Sequence, residues 1–392
     1  MALSLADIDF LRADRASRIL ADYADADLSD ANTLPLLTEL RKSLSAPEAG
    51  AILTTLRLRK KAITKFPRYA PAMLFTEAGL QQASHPLARR YRAGLVESDN
   101  VLDLCCGIGA DSLAFAAAGS QVLGLDINPA RIAIARHNSA IMRLNATFKV
   151  EDIRNSIPTG YGCIFYDPSR RDQQGRRIRH VEHYQPPLSL AIGFEASEII
   201  VKLSPGIDLR QLAAYGGQVE FVSVSGQLTE ALLWLRHPKL PPKATLLTER
   251  GNFHLNHRDI EPVETAAPRA WLIEPDPAIL RAGLVQQLAQ ALNAAMLDET
   301  IAYLTADHQI QTPWGRSWRI LDWMPFQLKR LRRYLVDRRV GRVTVKKRGF
   351  PLAPEELIDR LRLKAGAASR VLVMTRHQGK PIAIICKEAS FG

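Results

Sequence analysis

The sequence predicts a doubly wound α/β protein with a mostly parallel, seven-stranded sheet, a helical domain before it and a small α+β domain after it. Between residues 100 and 247, seven short apolar runs alternate with segments of helical periodicity, a pattern typical of a parallel sheet wrapped by helices. Before this stretch, apolar residues recur at spacings of three and four, as on one face of a helix. After it, the composition becomes strongly basic.

The predicted boundaries divide the chain into four segments. Residues 1–93 form a helical domain, and residues 94–260 form the α/β domain. Residues 261–312 form a connecting helical segment, because a Pro-containing connection precedes a helical pattern over residues 278–296. Residues 313–392 form the basic domain, in which strand patterns lie on both sides of a helical one.

The positive charge is confined to the last fifth of the chain. From Ile310 to Gly392 there are 19 Lys and Arg residues against 6 Asp and Glu, whereas the other 309 residues are nearly neutral. A localised basic surface attracts polyanions, which predicts contact with nucleic acid, although a run of cations can also be only a solvated helix face. The clusters are Lys329-Arg330-Leu331-Arg332-Arg333, Arg338-Arg339 and Lys346-Lys347-Arg348.

Other features limit the class of protein. No apolar run approaches the roughly 20 residues that a membrane-spanning helix needs. The amino terminus carries acidic residues early and lacks a basic region followed by an apolar core, so we expect no secretory signal and a cytoplasmic protein. The four cysteines, two of them adjacent, lack the repeated Cys-x-x-Cys spacing of zinc sites, which predicts a reduced chain without a metal.

Residues 101–112 are the strongest candidate for a ligand site. They run from an apolar strand into a glycine-containing turn and then into a helix, and glycine lets a ligand approach the backbone where a Cβ would block it. Asp103 lies four residues before Gly107, and an acid there suits a ligand with a cationic amino group and no phosphate. Cys105, in the same turn, would be a small apolar side chain beside the ligand. The alternative is a turn that needs Gly107 and Gly109 only for packing.

This segment resembles the first motif of the class I S-adenosylmethionine-dependent methyltransferases, acid-x-x-x-Gly-x-Gly, through Asp103, Gly107 and Gly109. The resemblance implies that Asp126 accepts hydrogen bonds from both ribose hydroxyls, for which a carboxylate offers two acceptor oxygens. It also implies that Asp152 lies near the adenine amino group, where the alternative is an Asp that only caps a turn. The cofactor-binding residues implied are Thr76, Asp103, Cys105, Gly107, Gly109, Asp126, Ile127, Asp152 and Asp167.

Residues 166–171 resemble the Asp/Asn-Pro-Pro-aromatic signature of methyltransferases that act on exocyclic or planar nitrogens, with Ser169 and Arg170 in place of the second proline and the aromatic. An amide-like NH2 has its lone pair delocalised into the ring. Acceptors on its two hydrogens, the Asp167 carboxylate and a carbonyl near Pro168, would localise that pair for attack on the sulfonium methyl, and positioning would supply much of the rate. The predicted catalytic residues are Asp167, Pro168 and Ser169.

Residues 75–80, 201–208 and 346–351 are similar to segments of the bacterial methyltransferases with a carboxy-terminal THUMP-like domain, whose core is similar to that of trimethylguanosine synthase. The similarity covers nearly the whole chain. It implies that the Thr76 segment folds over the methionine end of the cofactor and that the substrate is a base nitrogen, guanine N2 or a similar one, in ribosomal or transfer RNA. The substrate or RNA contacts implied are Arg170, Arg171, Lys202, Lys346, Lys347 and Arg348.

The departures at Ser169 and Arg170 keep other functions open. Without the aromatic residue, Tyr166, Tyr184 or an arginine plane would have to stack the base. One alternative is a methyltransferase that uses the same cofactor on a protein or a small molecule. Another is an RNA-binding protein that holds the cofactor without turning it over.

Overall fold

The computed structural model describes residues 3–172, 174–364 and 366–387. Its internal contacts divide the chain into two compact units. The first comprises Met1–Val219 and Thr229–Leu240, and the second comprises Glu220–Leu228 and Pro241–Gly392. Among the described residues, no helix is both long enough and apolar enough to cross a membrane.

The first unit begins with α1 (Leu5–Arg12), α2 (Asp14–Asp22), α3 (Thr33–Leu40), α4 (Ala46–Ala62), α5 (Glu77–Gln82) and α6 (Pro86–Leu95). Two of these helices start with a capping box, in which a serine and a downstream carboxylate satisfy each other's backbone N–H: Ser4 with Asp7 in α1, and Ser45 with Glu48 in α4. The buried faces of α1 to α5 share one apolar core. The predicted helical amino-terminal region is therefore confirmed.

The first sheet follows, and its strands alternate with α7 (Ala110–Ala117) and α8 (Pro129–Met142). The strands are β1 (Asn100–Leu104), β2 (Gln121–Asp126), β3 (Ala146–Val150), β4 (Cys163–Tyr166), β5 (Glu198–Leu203), β6 (Gln218–Val224), β7 (Gln227–Trp234), β8 (Leu240–Thr248) and β9 (Gly251–Leu255). Their order is β3-β2-β1-β4-β5-β7-β6-β8-β9. Strands β3, β2, β1, β4 and β5 are parallel, and β7 is antiparallel to β5.

The α/β class is confirmed, but the sheet has nine strands of mixed direction where seven mostly parallel ones are predicted. Two strands escape the sequence pattern for different reasons. Strand β3 buries only its central Phe148, so it lacks the apolar run that marks the other parallel strands. Strand β9 pairs with β8 as an antiparallel hairpin, and every second residue is exposed.

The second unit contains a second sheet, in the order β11-β12-β10-β13-β16-β15-β14. Its elements are β10 (Trp271–Pro275), α9 (Pro277–Ala282), α10 (Val285–Ala291), β11 (Ala295–Asp298), β12 (Ile301–Ala306), β13 (Gly315–Pro325), α11 (Leu328–Asp337), β14 (Val340–Lys347), α12 (Pro354–Leu361), β15 (Ala368–His377) and β16 (Lys380–Lys387). Helices α11 and α12 pack on this sheet around a core that includes Leu331, Leu335, Leu357 and Leu361.

Residues 261–312 are predicted as a connecting helical segment, and the structure corrects this, because β10, β11 and β12 lie within it. The helical pattern over residues 278–296 is interrupted twice. Gly283 ends α9 with a φ of 72°, and Asn293 follows α10 with a φ of 50°. The apolar run after Asn293 is strand β11, which periodicity alone does not distinguish from a buried helix.

Candidate active site

Four charged residues lie at the ends of neighbouring parallel strands. Asp103 is near the end of β1, Asp126 ends β2, Asp167 directly follows β4, and Lys202 is near the end of β5. The strand registers bring these ends to one edge of the sheet. Open α/β sheets bind their ligands outside this carboxyl edge, so the sequence motifs fall where such a fold places a site.

The turn after β1 has three residues in the left-handed region, Cys105, Gly107 and Gly109, with φ values of 64°, 59° and 80°. A Cβ on Gly107 would meet nothing within 4 Å, whereas one on Gly109 would lie 3.1 Å from Ala135 and 3.2 Å from Phe148. Gly107 therefore leaves open space for a ligand, and Gly109 serves close packing. A positive φ at a non-glycine residue such as Cys105 is uncommon and is often found at ligand sites.

Asp126 is buried and oriented by the backbone of two turns. Its Oδ2 accepts a hydrogen bond from the N–H of Gly107 at 3.0 Å, and its Oδ1 accepts one from the N–H of Asn128 at 2.8 Å. Each carboxylate oxygen has a second lone pair, so a diol can still be bound. The next residue, Ile127, is 60 % exposed, which is unusual for an isoleucine and provides an apolar surface beside the carboxylate.

Asp103 carries an unpartnered buried oxygen. The hydroxyl of Ser112 donates to Oδ2, and Oδ1 has no hydrogen-bond partner among the described residues. Burial, followed by the nearby charge of Asp111, raises the pKa of the Asp103 carboxyl well above its usual value. A ligand with a cationic amino group would satisfy that oxygen and favour the ionised form, so this residue fits the cofactor expected from the sequence.

A buried ion network beneath the turn is absent from the sequence predictions. The guanidinium of Arg92, in α6, donates to Asp111 in the first turn of α7 and to Glu230 in β7. The opposite charges stabilise the arginine cation despite its complete burial, and Arg92 in turn lowers the pKa of Asp111. One signal was available in the sequence, since an acid in the apolar run of β7 needs a cationic partner.

Asp152 has a local partner. Both of its oxygens accept hydrogen bonds from the Arg154 side chain, and Oδ1 also accepts one from the backbone N–H of Arg154 at 3.0 Å. These bonds lower the pKa of Asp152 to about 2. The turn-capping interpretation of this residue is therefore realised, and an adenine amino group would share the carboxylate with Arg154.

Lys202 is expected at a substrate or RNA contact, but its side chain is buried beside the motif that follows β4. It is 4 % exposed, and its Nζ donates to Oδ2 of Asp167 at 2.5 Å. No other hydrogen bond to that carboxylate is found among the described residues. Lys202 thus holds one oxygen of Asp167 and leaves the other available.

The peptide after Asp167 is fixed by backbone pairing. Ser169 and Gln185 exchange two backbone hydrogen bonds, at 2.9 and 3.0 Å. Tyr166 and Tyr184 are both buried, and the Tyr166 hydroxyl donates to the carbonyl of Pro186 at 2.9 Å. The alternative in which either tyrosine stacks a base is therefore contradicted. The partly exposed side chains that follow the motif are Arg170 and Arg171.

Thr76 caps a helix that contacts the turn after β1, residues 105–109 (the ligand turn). Its Oγ1 accepts a hydrogen bond from the N–H of Gly79 at 3.0 Å, at the start of α5. A Cβ on Gly79 would lie 2.6 Å from Cγ2 of Ile108, in the turn between Gly107 and Gly109. Glycine at position 79 thus allows α5 to approach the turn closely.

Some cations of the second unit are partly buried and paired with a carboxylate, and others are exposed. The Nζ of Lys346 lies 2.6 Å from Glu274 and 5.0 Å from the centre of the Trp318 ring, and Arg348 lies 3.7 Å from the same Glu274. Of the three residues predicted to contact RNA here, only Lys347 is exposed. Six exposed cations lie on and just after α11: Lys329, Arg330, Arg332, Arg333, Arg338 and Arg339.

The cysteine thiols are shielded from solvent to different degrees. Cys105 is partly buried, the other cysteines are buried, and burial raises the pKa of each thiol. Within residues 3–172, 174–364 and 366–387, no group of three or more His, Cys, Asp or Glu residues is arranged to hold a metal ion.

Three family models match the chain. Residues 101–164 match the family described as methyltransferase domain, and residues 315–388 match the family described as THUMP domain-like. Residues 4–62 match a domain of unknown function, DUF8688. The matches cover the ligand turn, strands β13 to β16, and helices α1 to α4.

Similar proteins agree with these matches. A Mycobacterium tuberculosis protein named as an S-adenosylmethionine-dependent methyltransferase is 32% identical over 336 residues, which are 83% of this chain and 92% of that protein. A tRNA (uracil(54)-C(5))-methyltransferase of Pyrococcus horikoshii is 32% identical over 92 residues, 24% of this chain and 23% of that enzyme. The crystal structure of a candidate methyltransferase from Porphyromonas gingivalis W83 covers 100% of both chains at 21% identity with a TM-score of 0.79, which shows the shared fold.

Proposed function

The chain belongs to the S-adenosylmethionine-dependent methyltransferases and carries a THUMP-like domain at its carboxyl end, and from this premise we propose that it methylates a base nitrogen in ribosomal or transfer RNA. The target is an exocyclic amine, such as guanine N2. The observation that carries the proposal is the Asp167 carboxylate at the carboxyl edge of the sheet, with one oxygen held by Lys202 and the other available.

We assign the cofactor to the edge formed by β1, β2 and β3. Asp126 holds the ribose diol, Asp103 holds the amino group, and Ile127 with Asp152 contacts the adenine. The space above Gly107 and the unpartnered oxygen of Asp103 support this assignment. Cys105, Gly109 and Thr76 shape the remainder of the pocket. When bound, S-adenosylmethionine supplies an electrophilic methyl group on a sulfonium.

The residues after β4 orient the nucleophile. An exocyclic amine donates one hydrogen to the free Asp167 oxygen and the other to a carbonyl near Pro168, and these bonds localise its lone pair toward the methyl group. Lys202 keeps the carboxylate in one orientation, so alignment is set before the substrate arrives. Ser169 holds the motif against Gln185.

The cysteines favour nitrogen over uracil C5 as the target. Methylation at C5 of a pyrimidine requires a nucleophile to add at C6, and thiolates serve that step well. Burial raises the pKa of all four thiols, that of Cys386 to about 12, and this disfavours the thiolate form. Attack by a base amine needs no such group.

RNA as the substrate is supported by the basic surfaces. The exposed cations on and after α11 suit phosphate contacts, as do Lys347 and the two arginines that follow the catalytic motif, Arg170 and Arg171. The relative from Pyrococcus horikoshii acts on tRNA. Phosphate contacts position an RNA without selecting its sequence, so the modified nucleotide is set at the catalytic edge.

The test is a nucleoside profile. Total RNA from a strain that lacks the protein, digested and measured by mass spectrometry, should lack one methylated nucleoside, and the purified protein with S-adenosylmethionine should restore it. Loss of a C5-methylated uridine instead would contradict the nitrogen assignment. An unchanged profile, together with turnover on a protein or a small molecule, would identify the other substrate class. Cofactor binding without turnover on any RNA would indicate an RNA-binding protein.

A further inference from the structure

We infer that the end of α4 and the turn after it anchor the segment 72–83 over the ligand turn, and that S-adenosylmethionine affinity depends on Arg59 and Lys65 as positioning residues. The inference rests on the proposed cofactor site. It gives a role to the amino-terminal helices, most of which lie in the part matched by a domain of unknown function.

Arg59 bonds the start of the segment. From α4, its Nε donates to the carbonyl of Met73 at 3.0 Å, and its Nη2 donates to the carbonyl of Ala72 at 3.1 Å. No carboxylate pairs with Arg59 among the described residues, and burial lowers its pKa to about 10, so it is still a cation at neutral pH. Desolvating a cation for carbonyl partners is unfavourable in itself, and the bonds it makes offset that penalty.

Lys65 bonds the end of the segment. Its Nζ donates to the carbonyls of Leu80 at 2.8 Å, Gln81 at 3.2 Å and Ala83 at 2.5 Å. These carbonyls belong to the last turn of α5 and the residue after it, which have no partners within the helix. A cation there also interacts favourably with the negative end of the helix dipole.

The other side of the segment is bonded to α8. The Asn138 side chain exchanges two hydrogen bonds with the backbone of Leu74, at 2.9 and 3.0 Å, and His137 lies 3.1 Å from the carbonyl of Ala72. Helix α8 begins just after Asp126. The segment is therefore fixed between the amino-terminal helices and the helix that follows the proposed ribose carboxylate.

The anchored segment contacts the ligand turn through Gly79 and Ile108. The turn itself is held by the sheet, since Gly107 donates to Asp126 and Cys106 donates to Leu125. Removing the cations should therefore loosen the segment and leave the turn in place. A ligand under a loosened segment loses binding free energy, because it must order that segment on binding.

The experiment measures S-adenosylhomocysteine affinity by calorimetry and amide hydrogen exchange of peptides in 72–83, using the full chain. Arg59→Met together with Lys65→Met should raise the dissociation constant about tenfold or more and speed exchange in 72–83, while exchange in β1 and β2 is unchanged. The KM for the cofactor should rise without a matching fall in kcat. The Lys65→Arg variant, which keeps hydrogen-bond donors at this position, should retain most of the wild-type affinity.

The matched control is Lys60→Met, which removes the same charge from an exposed position of α4 and should behave as the wild type. Unchanged affinity in the double variant, or unchanged exchange in 72–83, would overturn the anchor. If the double variant does not fold, each single variant is tested by the same two measurements. A wild-type protein that binds no cofactor overturns the proposed site itself, whereas wild-type binding with unaffected variants overturns only the anchor.

Discussion

The proposed cofactor edge of the first sheet and helix α11 of the THUMP-like domain use charge in opposite ways. At the edge, Asp103 and Lys202 are buried, and each contacts another side chain of the protein. On α11 the cations are exposed, and the closest carboxylate contact is that of Arg333 with Asp337 at 3.9 Å. Buried charges have one geometry and tolerate little change, whereas exposed charges act together at long range and are screened by salt. A single substitution at the edge should therefore affect one step, cofactor binding or methyl transfer. Substitutions on α11 should each weaken RNA binding, and their effects should add.

The largest effect is expected at Asp126. Asp126→Ala removes the carboxylate that orients the turn and would bind the ribose diol, so cofactor affinity should fall roughly 100-fold. Calorimetry with S-adenosylhomocysteine measures this. Glu97→Ala, an exposed acid just before β1, is the matched control and should bind like the wild type. Equal affinity in Asp126→Ala would show that the edge does not hold the cofactor.

Asp167 and Lys202 should separate catalysis from cofactor binding. Asp167→Asn keeps the shape but weakens the acceptor, and kcat should fall on the order of 100-fold with cofactor affinity nearly unchanged. Lys202→Met should lower kcat in the same direction and also destabilise the fold, because the Asp167 carboxylate then lacks its partner. Full turnover in Asp167→Asn would remove this residue from the mechanism.

The effects of substitutions on α11 on RNA binding should add. Replacing Lys329, Arg330, Arg332 and Arg333 with Gln should weaken RNA binding by roughly 10- to 100-fold at low salt and reduce the salt dependence of binding by somewhat less than one counterion per cation removed. Filter binding at several salt concentrations measures both. Lys346→Gln is the contrasting variant: its cation is paired with Glu274, so stability should fall and RNA affinity should not. If Lys346→Gln weakened RNA binding and the α11 variant lowered only stability, the roles of Lys346 and the α11 cations would be exchanged.

The smallest effect is expected in the stability of the cofactor-free protein. The Asp103 pKa is raised in the fold, so below about pH 4 the carboxyl is protonated in folded and unfolded chains and has no effect. As the pH rises toward the folded pKa, the unfolded chain releases the proton first, and the folded state becomes less stable. Asp103→Asn should remove this loss and raise the free energy of unfolding at pH 7, while cofactor affinity falls. Denaturation at pH 3.5 and 7 tests the difference.

The sequence predicts where the acids of the first sheet lie better than it predicts which cations of the second unit are paired, and the reason is physical. A strand, a glycine turn and an acid at the end of the next strand are local features, and the parallel topology then brings Asp103, Asp126 and Asp167 together. Long-range pairing has no such local signal. Arg92 and Glu230 are 138 residues apart in sequence, and nothing near Lys346 or Arg348 indicates that Glu274 binds both. Composition locates a basic region, but only the fold separates its internal cations from its exposed ones.

The buried contacts of Arg92 also constrain how the family can diverge. One guanidinium donates hydrogen bonds to two acids on different elements, Asp111 in the helix after the ligand turn and Glu230 in a strand far along the chain. Substituting Arg92 leaves two buried acids without this partner, and substituting either acid leaves guanidinium donors without an acceptor, so drift at these positions has to be concerted. Homologues should accordingly keep all three residues or replace all three with neutral side chains, and an alignment would reveal them as one covarying set.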